Sequence, residues 1–168
     1  MTKAGTSKVF FDKDLMNYVD GKKIQRGRPW RTCKRLYILV NVAKLHWVAL
    51  VVDLQRCSLV VLDSHLSATM TKTMGEVILP YCSMIPLMLK QSGQFKHLGE
   101  NFTRKWMWTR TKDLCEQTME GGNCGVYMLK LMELHIMNLS MKGVITDATM
   151  VYHRSRYAVE IFKQGMDP

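Results

Sequence analysis

The chain has 168 residues, enough for one domain with a real core. Hydrophobic residues at 47% and charged residues at 23% are ordinary globular values, and they exclude an intrinsically disordered chain. The net charge of +10 favours an anionic partner, whether nucleic acid, a membrane surface or an acidic protein.

No apolar run approaches the roughly 18 to 20 residues of a membrane helix, and Met1 to Thr6 lacks the apolar centre of a signal peptide. The expected location is the nucleus or cytoplasm, without membrane attachment. Cys33, Cys57, Cys82, Cys115 and Cys124 are odd in number and form no Cys-x-x-Cys pair. Neither a disulfide framework nor a structural zinc site is expected from them. The 14 methionines read as adaptable core filling.

Taken in chain order, residues 1–27 form a poorly defined N-terminal segment. Phe10, Phe11 and the stretch Leu15 to Val19 suggest a short helix, which Gly21, Gly27 and Pro29 break. Lys22 to Arg35 is densely basic, and reads either as a solvated or partner-facing surface or as a nucleic-acid contact. Leu36 to Val42, His46 to Val52 and Ser58 to Leu62 are strand candidates, with a hairpin turn at Asp53 to Arg56. Their near-continuous apolar runs suggest strands covered on both faces.

A helix is expected from about Thr69 to Lys90, broken or kinked at Pro80 and Pro86. Gln91 to Arg104 reads as a polar loop, and Lys105 to Arg110 alternates like a strand. Gly121 and Gly122 make a sharp break before a helix from Cys124 to about Met137. A last helix spans about Asp147 to Gln164, with Thr146 or Asp147 as its cap and Gly165 at its end. The order predicts an α+β fold, a central mixed β-sheet flanked by helices.

Chemistry concentrates around Cys124. A glycine-rich stretch runs straight into a helix whose first residue is a thiol. The N-terminus of a helix carries partial positive charge, and a thiolate, the nucleophilic form, is favoured in such places. The alternative is a small buried cysteine beginning a core helix. A cysteine nucleophile needs a base, and a histidine base works best when a third group fixes it. His46 begins a strand, and Asp63 ends the next one 17 residues later, at the same end of the hairpin. Their alternatives are a surface histidine and a turn aspartate. Gln117, seven residues before Cys124, could donate its amide to an oxyanion, with the Cys124 N–H as second donor.

His46-Trp47, Asp63, Gln117 and the run Gly122-Asn123-Cys124-Gly125-Val126-Tyr127 together resemble the ubiquitin-like-protein (SUMO) proteases, with adenovirus protease a distant relative. The likeness is plant-type, through Tyr37 to Val42 and Tyr157 to Phe162. It implies a papain-like cysteine protease core over residues 28–165. It makes Cys124 the nucleophile, His46 the base, Asp63 its orienting partner and Gln117 the oxyanion donor. Trp47 would cover a channel for the Gly-Gly tail of SUMO or a related modifier. The implied reaction is hydrolysis after that Gly-Gly, with no cofactor and no metal.

Three features depart from the family. Its glutamine usually stands six residues before the cysteine, the residue before the cysteine is usually Asp rather than Asn123, and an N-terminal Trp-Leu-x-Asp motif is not found. The last suggests an N-terminally truncated domain. The alternative function is a catalytically degenerate, transposon-derived module that binds a modifier. Nucleic-acid binding through Lys22 to Arg35 and Trp106-Met107-Trp108 is a weaker reading, as is a metal site from His46, Asp63, His65 and a cysteine. His97, His135 and His153 read as structural or exposed.

Overall fold

The computed structural model describes residues 10–23, 27–93, 104–112, 114–115, 117 and 122–166. Its centre is strand β2 (His46–Asp53), in which every residue except Trp47 is buried. Side chains alternate across a strand, so a strand apolar at every position must be covered twice. Val48, Leu50 and Val52 face a cluster with Met74, Ile78, Ile85 and Leu89 of helix α2 (Thr71–Ser92). Ala49 and Val51 face the opposite cluster, with Tyr127, Met128, Leu131 and Leu134 of helix α3 (Cys124–Ile136). Each fully buried aliphatic side chain contributes about 1.5 to 3 kcal/mol. The sheet therefore lies between two helical layers, as its apolar strands predict.

Strands β1 (Arg35–Val42), β2 and β3 (Ser58–Leu62) form an antiparallel meander, and β4 (Met107–Arg110) joins β3 in parallel, giving the order β1-β2-β3-β4. The mixed sheet flanked by helices is the α+β architecture expected from the sequence. The turn after β2 forms where predicted. The Asp53 carboxylate accepts from the N–H groups of Gln55 and Arg56 at 3.1 and 2.9 Å, a side-chain mimic of a backbone turn. The turn before β2 is tighter. Ala43 and Lys44 both adopt left-handed φ, +53° and +60°, which brings Val42 opposite His46. That conformation costs a residue other than glycine about 1 to 2 kcal/mol.

Helix α1 (Lys13–Val19) is capped by Asp12, whose carboxylate accepts from the Leu15 N–H at 2.7 Å. Gly21 then turns the chain with φ +71°, so close to Arg28 and Pro29 that a Cβ there would lie 2.3 Å from the Arg28 carbonyl carbon. Among the described residues no helix is long and apolar enough to cross a membrane.

Two expected helix breaks do not occur. Helix α2 does not break at its prolines but runs from Thr71 through Ser92. A proline frees the carbonyl four residues earlier. The carbonyl freed by Pro86 belongs to Cys82, and it accepts the Trp106 N–H at 3.0 Å. Pro80 and Glu76, whose carbonyl it frees, both lie on the exposed side of the helix. Gln91 is accordingly helical, and its side chain brackets the Phe11 backbone at 2.8 and 2.9 Å. The rest of the expected polar loop, residues 94–103, lies outside the described residues, as do Gly121 and His97. The second failure is Gly165. Helix α4 (Asp147–Met166) continues through it.

Trp106 and Trp108 also correct the nucleic-acid reading. Trp106 is buried in the α2 side of the core, and Trp108 packs there beside Gly75. Trp106 has no free face on which a base could stack, and the Trp108 ring is partly covered.

Trp106 ties β4 to α2 through its N–H and fills the core with its ring. Trp106→Ala is expected to lower stability by about 3 to 5 kcal/mol, read as a fall in the urea unfolding midpoint at unchanged slope.

Candidate active site

The β2–β3 register pairs Ala49 with Leu62. Continued outward, it sets His46 opposite His65 and diagonal to Asp63, a separation that long side chains bridge. The rings of His46 and His65 do meet edge to face, 6.3 Å apart. His46 Nε2 is 2.8 Å from Asp63 Oδ1, and both side chains are buried. The pair read from the hairpin is therefore formed, and its Nε2 contact leaves Nδ1 as the other ring nitrogen.

The Asp63 side chain has no exposed surface. A buried carboxylate must be satisfied by donors, and they arrive from three directions. His46 and the His65 N–H share Oδ1, each at 2.8 Å. Arg110 takes Oδ2 with two arms, Nε at 2.8 Å and Nη2 beside it. Burial alone raises the Asp63 pKa, but the hydrogen bonds from His46 and the His65 N–H, with the His46 charge and Arg110, outweigh it and hold the carboxyl below its usual range. Arg110 is itself fixed by the carbonyls of Thr69 and Leu66, both at 3.0 Å. Strand β4 delivers it, since the parallel register pairs Arg110 with Val61.

Ser64, the next residue, is buried and donates its hydroxyl to Gln117 Oε1 at 2.6 Å. That contact fixes the glutamine carbonyl and leaves the NH2 group of Gln117 to point elsewhere. Sequence reasoning named Gln117 but not the serine or Arg110. The serine's adjacency to Asp63 was a usable signal. Arg110 offered none, because its pairing spans 47 residues.

Cys124 opens α3 as expected, half-buried at the mouth of a cleft of about 680 Å³. The cleft is also lined by Leu39, Trp47, Leu129, Arg154 and Tyr157. A Cβ placed on Gly125 would stand 3.9 Å from Trp47 Cδ1, so the start of α3 lies against the residue following His46. Cys124 and His46 share no hydrogen bond, and such contacts are often loose without substrate. Gly122, in the loop leading to Cys124, has φ +85°.

All five thiols are free. Burial pushes the Cys57, Cys82 and Cys115 thiols up, Cys115 to about 11 with help from the Asp63 and Asp147 charges. Cys115 is thus a protonated packing group, its Sγ 3.9 Å from the Ser64 carbonyl. Among the described residues no group of three His, Cys, Asp or Glu side chains is placed to hold a metal ion. His135 is bonded to the Tyr37 hydroxyl at 2.8 Å, and His153 is buried.

A cysteine that opens a helix, beside a strand carrying a carboxylate-bonded histidine, is the layout of the papain-like cysteine peptidases. Residues 5–168 match the model of the Ulp1 protease family, C-terminal catalytic domain, and the chain belongs to that family. Similar folds include the SUMO protease Ulp1 with its catalytic cysteine oxidised to a sulfonic acid, at TM-score 0.56 and 15% identity over 83% of this chain and 56% of that one. They also include the C-terminal Ulp1 protease domain in complex with Smt3, the yeast ortholog of SUMO, at TM-score 0.56 and 19% identity over 83% and 55%. The chain thus spans just over half the length of these structures. No curated protein matches the sequence.

Removing Arg110 leaves a buried carboxylate without its main cation. Arg110→Ala is expected to cost about 3 to 5 kcal/mol at pH 7. A carboxyl with a lowered folded pKa contributes stability above its unfolded value, near pH 3.9, and loses it as pH falls through the folded value. The gap between the parent chain and Arg110→Ala should therefore narrow below about pH 4. Urea titrations at pH 7 and in the acid range check this.

Proposed function

We propose that the chain is a cysteine peptidase that hydrolyses the bond after the C-terminal Gly-Gly of SUMO or a related modifier. The observation that carries the reading is the buried His46–Asp63 pair, bonded through Nε2. The family membership and the likeness to a protease domain solved with Smt3 support it.

In this mechanism His46 Nδ1 takes the proton from Cys124, and the sulfur attacks the carbonyl carbon of the last glycine. Asp63 holds the ring and stabilises the imidazolium that forms. The oxyanion is met by the Cys124 N–H and by the Gln117 amide, whose orientation is set from its far side by Ser64. The tetrahedral species collapses as His46 protonates the leaving amine. Water, deprotonated by the same histidine, then releases the modifier from the thioester. Trp47, 38% exposed and beside Gly125, is assigned to cover the diglycine tail in this reading.

Two experiments test this. Purified protein should form a covalent adduct with SUMO carrying a C-terminal electrophile, and Cys124→Ala should abolish it. An adduct that survives this substitution removes Cys124 as nucleophile, and no adduct with any of a panel of modifier probes favours a non-catalytic binding module. In turnover assays Gln117→Ala should lower kcat by about 100- to 1,000-fold. Ser64→Ala should lower it by about 10- to 100-fold with little change in KM, because the donor remains but is misplaced.

A further inference from the structure

We propose that Arg154 is a positioning residue for Cys124, acting through the two residues that precede it. The assignment rests on the peptidase reading above and deepens it. Asn123 stands at the N-cap of α3, yet its side chain makes no capping bond to the helix. It turns instead to α4, where its Oδ1 accepts from Arg154 Nη2 at 2.7 Å. The same nitrogen reaches the Gly122 carbonyl at 3.2 Å. One guanidinium therefore grips both the side chain and the backbone of the loop entering the helix.

The loop needs such a grip. Gly122 holds φ +85°, and among the described residues none beyond its chain neighbours has an atom within 4 Å of where its Cβ would be. No described side chain packs against that position, and glycine resists rotation less than any other residue. The next peptide but one, between Asn123 and Cys124, carries the Cys124 N–H, the second oxyanion donor in this reading. A rotation at Gly122 or Asn123 swings that N–H and the sulfur together, away from the reacting carbonyl.

Arg154 is itself delivered from a braced helix. Tyr127 of α3 donates to Asp147 at the start of α4, at 3.0 Å. Further along, Glu133 of α3 accepts from Arg156 and from the Tyr157 hydroxyl, each at 3.2 Å. These contacts fix α4 against α3 on both sides of Arg154. Arg154 is also among the residues lining the cleft that Cys124 and Trp47 border, and it is exposed rather than part of the core.

The test compares capture of the electrophilic SUMO probe with amide hydrogen exchange over residues 122–125 in the full chain. Arg154→Ala is expected to slow capture about tenfold and to speed exchange in that segment, with an unchanged melting temperature. Arg154→Lys should recover part of both, since one ammonium can still reach one acceptor. Asn123→Ala should fall between them, and the double variant should be no worse than Arg154→Ala alone, as residues acting in one contact are not additive. Capture as fast as in the parent chain overturns the assignment and leaves the peptidase reading standing, whether or not exchange rises. No capture by the parent chain overturns that reading, and this assignment with it.

Discussion

An ionised carboxylate fully removed from water is the constraint around which this molecule is arranged. Asp63 has no exposed side-chain surface, and its charge is tolerable only because donors converge on both oxygens. Each donor comes from a different element. His46 comes from β2, the His65 N–H from the bend after β3, and Arg110 from the end of β4. Strands β2, β3 and β4 must therefore be paired before the charge is satisfied. The same contacts fix the imidazole that the proposed chemistry uses. In this site, holding the fold together and orienting the His46 ring are one set of hydrogen bonds.

The features legible in the sequence are those set by short-range rules. The three meander strands declared themselves through continuous apolar runs, and Asp53 marked their turn. The hairpin then placed His46 and Asp63 together, because a register fixed by a tight turn extends several residues either way. The start of α3 at Cys124 was visible from the glycines before it. What escaped depended on distant partners. Arg110 reaches Asp63 through a parallel pairing whose register no local pattern encodes. Arg154 meets Asn123 across 31 residues and a helix–helix crossing. The prolines of α2 misled for the same reason. Their local effect is to free a carbonyl, and whether that ends a helix depends on what else can reach it.

Two of the three features by which the chain departs from its family fall on contacts that the structure makes visible. Asn123 stands where the family usually has an acid, and its amide oxygen still accepts a charged hydrogen bond from Arg154. Gln117 stands one residue further from the cysteine than usual, and its carbonyl is held by Ser64, a residue anchored to Asp63 by the chain itself. The loop before Cys124 and the Gln117 side chain are thus each tied to a rigid element, one to α4 and the other to the end of β3.

The bond from the Trp106 N–H to the Cys82 carbonyl has a reach beyond its own neighbourhood. An unbroken helix interior offers no such acceptor, since each carbonyl is engaged within the helix. Pro86 leaves one vacant at a single height along α2, and β4 is pinned there. From that pin, four residues of extended chain at roughly 3.3 Å each measure out the distance at which Arg110 meets Asp63. A ring on the far side of the core, with no polar hydrogen of its own, thereby acts as the zero mark of a ruler whose other end falls on the carboxylate behind the histidine.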